Sequence, residues 1–328
     1  MNGLTLVTGA TGLIGRYVLR ELLTAETPVR VLTRCPDRVP VEYRDRVETV
    51  AGDVQDQGAI VRAVRGARVV LNLAGCARAW SPDPSEYAAV NVQAVEFLLD
   101  AAADSGVERL VHVSTILALP PFRPAGVRGD AARLTPYEET KRIGEALVAA
   151  YAALGGHAVI VRPTRVYGPG PLNEANSVTR MIALYLQGRF RLRPADGGVL
   201  ANYVHAEDVA RGIILAARLG LPGQAYVLGG ENASLQELLN LAGAAAHVSR
   251  RTVPIPPGLA MALARGAEWW GRLGGSAPMT RRWVRTFLED RRVDVTPTCR
   301  ALDYHPRPLR EGLQETIQWL RQSSPRAA

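Results

Sequence analysis

The chain has 328 residues, 47% hydrophobic and 21% charged, which is enough to bury a substantial core and excludes a disordered or low-complexity protein. The formal charge of +8 arises from basic residues scattered along the sequence with few aromatics between them, so it describes a basic surface suited to anionic ligands rather than a nucleic-acid-binding stripe. Three widely spaced cysteines (Cys35, Cys76, Cys299) form no metal or disulfide pattern, and the sequence has neither a signal-peptide pattern nor an apolar run of about 20 residues; the expectation is a cytoplasmic protein without a bound metal or a bilayer span.

Leu4–Thr8 reads as the first strand. It leads into Thr8-Gly9-Ala10-Thr11-Gly12-Leu13-Ile14-Gly15, a glycine turn that opens a helix running through Leu23. Glycines at such a junction allow a tight turn and let the backbone approach a pyrophosphate. The helix N-terminus adds unpaired N–H groups and positive dipole potential. Gly9, Thr11, Gly12, Leu13, Ile14 and Gly15 are therefore candidate cofactor-binding positions, with ordinary turn formation as the plainer alternative. Val29–Thr33 is the second strand. Where an acid would bind a ribose 2′-hydroxyl, the sequence has Thr33-Arg34 and no acid before Asp37. A guanidinium there suits a 2′-phosphate and stacks on adenine, so the expected cofactor is NADP rather than NAD; the alternative is one more surface arginine. Val47–Val50 precedes Gly52-Asp53-Val54, which places Asp53 to accept from the adenine amino group or to cap a helix.

Val69–Leu73, Leu110–Ser114 and Ala158–Arg162 read as further strands, with helices over Glu86–Ser105 and Tyr137–Leu154 between them. Strands rich in Val and Leu that alternate with helices imply right-handed crossovers and a parallel sheet covered on both faces. Beyond Pro163, the loop Tyr167–Asn173 leads to a helix near Ser177–Gln187. Tyr203–Ala217 reads as a helix, Ala225–Leu228 as a late strand, and the chain from Ser234 as mainly helical. The expected fold is α/β: a Rossmann-type doubly wound parallel sheet over residues 1–166 and 201–230, with a smaller, mainly helical substrate lobe from 167–200 and 231–328.

Of 39 basic residues, one is a lysine, Lys141. It lies four positions after Tyr137, which puts the two on one face of a helix. A free tyrosine titrates near about pH 10, too high for efficient proton exchange near neutrality, and an adjacent ammonium lowers that value. A compact ammonium can also hydrogen-bond ribose hydroxyls, for which arginine is no substitute. The alternative, an exposed helix pair without a role, fits poorly with a sequence that writes Arg at every other basic position. Ser114-Thr115, at the end of a strand upstream, supplies a hydroxyl for a substrate carbonyl oxygen.

In order and spacing, TGATGLIG (8–15), GDV (52–54), NLAG (72–75), Asn91, Ser114-Thr115, YEETK (137–141), RPTRVYGPG (162–170) and NYVHAEDVA (202–210) resemble the extended short-chain dehydrogenase/reductase family, the NAD-dependent epimerase/dehydratase-like proteins, over nearly the whole chain. The resemblance implies Tyr137 as general acid/base, Lys141 as ribose anchor, Thr115 as the group that polarises the carbonyl and Asn91 as a support of the site. It places Val54, Leu73, Ala74 and Gly75 beside the cofactor and Pro163 and Val166 at the nicotinamide. A homodimer is usual for the family.

Within the family, Ile116-Leu117 after Thr115 argue against a dehydratase, which usually carries an acid pair there. Ala201-Asn202 stands where many nucleotide-sugar enzymes have Arg-Asp, leaving Arg180 or Arg165 as a substitute clamp. The pattern is most similar to the branch of dihydroflavonol-reductase-like, 3β-hydroxysteroid-dehydrogenase-like and hopanoid-associated epimerase-like proteins. The segments from Trp80 to Pro84 and from Leu228 to Asn232 resemble the last group. Expected substrate walls are Cys76–Trp80, Ile116–Phe122, Tyr167–Asn173 and the region of Trp269, Trp270 and Trp283, with Trp80, Ile116 and Tyr167 as named candidates; lobe packing accounts equally well for the tryptophans, and Leu259–Trp270 also suits a membrane surface. The expected activity is NADP(H)-dependent interconversion of a hydrophobic ketone and its alcohol. The alternatives are a nucleotide-sugar epimerase with bound NAD(P), or a non-catalytic NADP-binding sensor or assembly factor, although such proteins commonly lose the Tyr/Lys pair.

Overall fold

The computed structural model describes residues 3–77, 83–122, 134–195, 198–272 and 280–323. Six strands of the first half, β1 (Thr5–Thr8), β2 (Val29–Thr33), β3 (Glu48–Ala51), β4 (Val69–Asn72), β5 (Arg109–Val113) and β6 (Ala158–Pro163), pair in parallel. Short strands β7 (Arg165–Tyr167), β8 (Leu192–Pro194) and β9 (Ala201–His205) follow, and then β10 (Ala225–Leu228) returns to the large sheet beside β6. The seven-stranded order is β10-β6-β5-β4-β1-β2-β3. Strand order therefore reverses between β1 and β4, where Thr8 pairs with Asn72. That reversal opens a crevice at the carboxyl ends of the strands, the usual ligand position in such sheets.

Helices α1 (Leu13–Thr24), α2 (Gln57–Val64), α3 (Ser85–Ala88), α4 (Ala94–Asp104), α5 (Pro136–Ala153), α6 (Ser177–Leu186) and α7 (Ala206–Leu219) connect these strands. One face of the sheet packs on Val18, Leu19 and Leu22 of α1 and on Val209 and Ile213 of α7. The other packs on Ile60 and Val64 of α2, Leu98 and Leu99 of α4, and Val148 of α5. Each fully buried Leu or Ile contributes about 1.5–3 kcal/mol, so the two faces hold the sheet rigidly beneath the crevice.

The C-terminal region holds β11 (Glu231–Ala233), α8 (Leu235–Ala246), β12 (Val253–Ile255), α9 (Pro257–Arg272), α10 (Arg281–Thr286), α11 (Thr296–Leu302) and α12 (Leu309–Ser323). A separate core joins α6, α8 and α12 through Ile182, Leu238, Leu239, Leu313 and Ile317. Leu302 and Tyr304 pack instead on the α1–α7 side of the large sheet.

Two elements differ from the sequence reading. Tyr203–Ala217 is not one helix. Its first residues belong to strand β9, paired to β7 and β11, and α7 begins only at Ala206. Every residue of β9 is buried, so the run shows no alternation to mark it as a strand. The helix expected over Glu86–Ser105 is also interrupted: Ala89–Gln93 forms a π-helical turn between α3 and α4. Asn91 sits in that turn.

Candidate active site

Helix α1 begins at Leu13 behind Gly12, and no side chain caps it. Its first-turn N–H groups and positive dipole end remain available to a ligand. They face a cavity of about 840 Å³ lined by the glycine turn. Gly9 holds φ +70°, and a Cβ there would lie 2.7 Å from the backbone of Leu73 and Ala74. A Cβ at Gly15 would collide with the Gly9 carbonyl. Only bare backbone fits between α1 and the β4 loop, so the cradle suits the pyrophosphate of a dinucleotide.

At the ends of β2 and β3, Arg34 and Asp53 line the same cavity. Their side chains approach to 3.6 Å, with the Arg34 side chain 72% exposed. An exposed pair of this kind holds its partners weakly, so Arg34 is mobile enough to engage another anion. Asp53 does not cap α2. Asp56 does, accepting from the Gly58 N–H at 2.9 Å, while the Asp53 carboxylate accepts from Gln55 N–H at 3.0 Å.

A buried polar chain braces the crevice floor. Ala74 N–H donates to Thr8 Oγ1 (3.1 Å), and Thr8 donates to Asn72 Oδ1 (2.7 Å). The Asn72 amide nitrogen then faces His112 Nδ1 at 3.1 Å. This order leaves the His112 proton on Nε2, which is buried with no hydrogen-bond partner among the described residues. Burial, and secondarily the charge of Lys141, hold His112 well below the usual imidazole range, so it is neutral. Asn91 forms a second brace. Its Oδ1 accepts from Cys76 N–H (3.0 Å), and its Nδ2 donates to Thr140 Oγ1 (3.1 Å). The π turn gives Asn91 this inward aim, and Gly144 makes room: a Cβ there would lie 2.6 Å from the Asn91 carbonyl oxygen.

Helix α5 starts where it does because of its cap. Thr135 accepts from Glu138 N–H, the Glu138 carboxylate reaches back to Thr135 N–H at 2.7 Å, and Pro136 fills the first turn. Tyr137 is thereby fixed at the first turn, with Lys141 one turn later, and both line the cavity. Lys141 Nζ donates to Val113 O at 2.8 Å. Burial pushes this ammonium down to about 8, with Glu145 opposing the shift. Thr115, just after β5, accepts from Leu117 N–H at 3.3 Å. Its own hydroxyl proton is left for an acceptor in the cavity.

The cavity brings together the glycine turn, Arg34, Asp53, Val54, Leu73–Gly75, Thr115, Ile116, Tyr137, Lys141, Pro163 and Val166. Asn91 lies beneath it, buried, and does not line it. Four residues of the expected substrate walls are placed elsewhere. Tyr167 is buried in the second core, with its hydroxyl directed at Leu309 O (3.4 Å) and its ring edge-on to His205. None of residues 167–173 lines the cavity, and Gly168 and Gly170 hold positive φ in this turn. Phe122 is exposed under Arg292. Trp269 and Trp270 are exposed on α9, whereas Trp283 of α10 does line the cavity. Trp80 lies outside the described residues.

Several cavity residues escaped the sequence reading. Phe190, Phe287, Arg189 and Arg291 line it from the second lobe, and no local motif announces them. Arg291 is buried beside Glu289 (2.7 Å) and donates to Leu119 O at 2.6 Å, tying the lobe to the loop after Thr115. Arg165 lies over the Phe287 ring at 4.3 Å and donates to Thr286 O. Thr8 and Asn72 fall within motifs that the sequence did show, but their bracing role required the fold.

A model of the NAD dependent epimerase/dehydratase family matches residues 5–229. The chain is 27% identical over 336 residues to the sterol demethylase protein B of Methylococcus capsulatus, covering 97% of this chain and 98% of that one. It is 28% identical over 332 residues to the 4-hydroxy-2-methyl-3-oxo-4-farnesyl-3,4-dihydroquinoline-1-oxide ketoreductase of Stigmatella aurantiaca, covering 98% and 96%. Among solved structures, the UDP-glucose 4-epimerase of Thermus thermophilus in complex with NAD matches with a TM-score of 0.75 at 26% identity, covering 98% and 100%. The matched segment runs from β1 to just past β10 and so contains the whole central sheet and the cavity floor. The chain belongs to the NAD-dependent epimerase/dehydratase family, the extended short-chain dehydrogenases.

Proposed function

We propose that this chain is an NADP(H)-dependent oxidoreductase that interconverts a ketone and a secondary alcohol on a fairly hydrophobic small molecule. The observation that carries the reading is the convergence of Tyr137, Lys141 and Thr115 on the cavity that also holds the glycine turn. When bound, the nicotinamide dinucleotide supplies or accepts the hydride. In the reducing direction, Tyr137 gives its phenolic proton to the substrate oxygen; in the oxidising direction it takes that proton back. Thr115 donates to the same oxygen. Lys141 stabilises the tyrosinate, and its Val113 bond keeps the ammonium aimed. Tyr137 and Lys141 are both buried, so little water competes for the proton.

An apolar substrate is supported by Ile116, Leu117, Phe190, Trp283 and Phe287, which line the cavity. A ketoreductase acting on a farnesylated quinoline is among the relatives. Turnover of a panel of apolar ketones, followed as consumption of NADPH, tests the reading; consumption with none of them would reject it.

Arg34 carries the cofactor preference. Arg34→Ala is expected to weaken NADPH binding by about 10- to 100-fold, the worth of a charge-assisted bond to phosphate, and to leave NADH binding nearly unchanged. Calorimetric titration of both cofactors reads this directly. Equal loss for the two would remove the 2′-phosphate assignment.

One observation favours a second reading, a nucleotide-sugar epimerase: Arg180 of α6, half-buried, lines the cavity and offers a diphosphate clamp. Asn202 gives no such clamp, because its amide is taken up by Thr164, Gly230 and Asn232. Conversion of a UDP-sugar to its epimer without net consumption of dinucleotide would establish this alternative.

A further inference from the structure

Helix α9 is built inside out. Its inward face carries Ala260 and Ala264, fully buried against Val284 of α10, together with buried Glu268. Its outward face carries Leu259, Ala262, Leu263, Gly266, Trp269 and Trp270. At about 100° per residue these six fall within roughly 120° of arc. The large ones stand well out: Leu259 is 49% exposed, Leu263 42%, Trp269 62% and Trp270 59%. No charge interrupts the arc, and Arg265 lies at its edge. Nearby, Leu192 of β8 and Val253 of β12 are exposed on paired strands of the same lobe.

The charge around this face is one-sided. Between His247 and Leu288 the sequence holds seven arginines and a single acid, Glu268. That acid is turned inward and held by Arg281, accepting from its backbone N–H and its guanidinium, each at 2.7 Å. Over the whole chain the ratio is far more even, 39 basic to 31 acidic. Arg281 and Arg285 are paired with Glu268 and Glu289, whereas Arg250, Arg251 and Arg265 are exposed. An exposed apolar arc ending in two tryptophans, with exposed arginines in the same stretch of chain, matches an anionic lipid interface: rings at headgroup depth, guanidinium groups against phosphate. Among the described residues no helix is long and apolar enough to cross a bilayer, so the fit is to lying on the surface.

We infer that the outward face of α9 docks this protein onto an anionic phospholipid bilayer. The same lobe lines the cavity: Thr280, Trp283, Thr286 and Phe287 face it, and Val284 between them packs on α9. Docking through α9 brings the lobe that carries this cavity wall to the lipid surface, which would favour entry of an apolar substrate. The docking stands on the surface itself; its use in substrate delivery rests on the hydrophobic-substrate reading above.

The test is co-sedimentation of the full chain with vesicles of phosphatidylcholine and phosphatidylglycerol (about 3:1), with pure phosphatidylcholine vesicles as the neutral arm. Binding is expected to the anionic vesicles, weakened at least about tenfold by neutral lipid or by about 0.5 M salt. The double substitution Trp269→Ser with Trp270→Ser is expected to weaken anionic binding by about tenfold or more. Both side chains are exposed and outside the cavity, so dinucleotide affinity should be unchanged and shows that the variant is folded. Absence of binding to anionic vesicles, equal binding to neutral ones, or full binding by the folded double variant overturns the inference. So does a wild-type dimer that the substitutions convert to monomer in sedimentation velocity, because a second copy then covers the face. None of these readouts needs turnover, so an error in the proposed chemistry would leave the docking result standing.

Discussion

Replacing Tyr137 by Phe is expected to lower kcat for ketone reduction by about 100- to 10,000-fold while changing dinucleotide affinity little. The substitution removes one oxygen from a ring that is buried and packs edge-on to Tyr87, with centroids 6.4 Å apart. Phenylalanine fills the same space, so folding stability should change by less than about 1.5 kcal/mol. The loss should fall on kcat and kcat/KM together, because a proton donor acts in the transition state rather than in binding. Steady-state kinetics on any substrate found in the ketone panel, with dinucleotide titration as control, provide the check. Full turnover in the variant would sink the acid/base role.

Lys141→Met should separate function from stability. Activity is expected to fall at least about 100-fold, since the methionine neither stabilises tyrosinate nor reaches a ribose hydroxyl. Stability at pH 7 is expected to rise. Burial holds the folded-state Lys141 at about 8, against 10.5 for an ordinary lysine. Between those values the unfolded chain binds the proton and the folded chain does not, so wild-type stability rises with pH across that window. Below it the buried charge is a standing penalty of up to about 3 kcal/mol. Loss of the bond to Val113 O returns about 1 kcal/mol of that, leaving a net gain of about 2 kcal/mol at pH 7. Denaturant unfolding at pH 7 and again near pH 10 reads the effect: the gain should shrink as the wild-type lysine loses its proton. A variant less stable than wild type at pH 7 would show that burial is not what depresses this group.

Much of this site was readable in the sequence because it is made of backbone turns and short spacings. The glycine turn, the second-strand arginine and the Tyr-Lys pair each sit within a few residues of the strand or helix end that positions them, and the strands are Val- and Leu-rich runs buried on both faces. The hidden parts depend on distance along the chain. The π turn at Asn91 leaves the apolar spacing of Glu86–Ser105 intact, so nothing local distinguishes it from α-helix. The bracing chain from Thr8 through Asn72 to His112 links three strands, and polar residues in buried strands look like exceptions until their partners are in view. The Tyr203–His205 end of β9 reads as helix because its buried run flows directly into α7, with His205 capping the junction. Tyr167 and the exposed tryptophans of α9 show the converse limit: an aromatic near a cavity-bearing segment can face either way, and only the packing of its neighbours decides which.

A chain with one ε-amine, set in the cavity beside Tyr137, offers amine chemistry a single side-chain target apart from the N-terminal amine. An amine that loses its proton near pH 8 is nucleophilic under mild conditions, whereas an ordinary surface lysine stays protonated. Reductive alkylation or acylation at that pH should therefore mark Lys141 on one tryptic peptide, without the background of dozens of lysines that obscures such mapping in most proteins. The extent of marking would follow occupancy of the cleft directly, so the arginine-for-lysine bias of this sequence gives the protein a built-in covalent reporter of whether its cleft is filled.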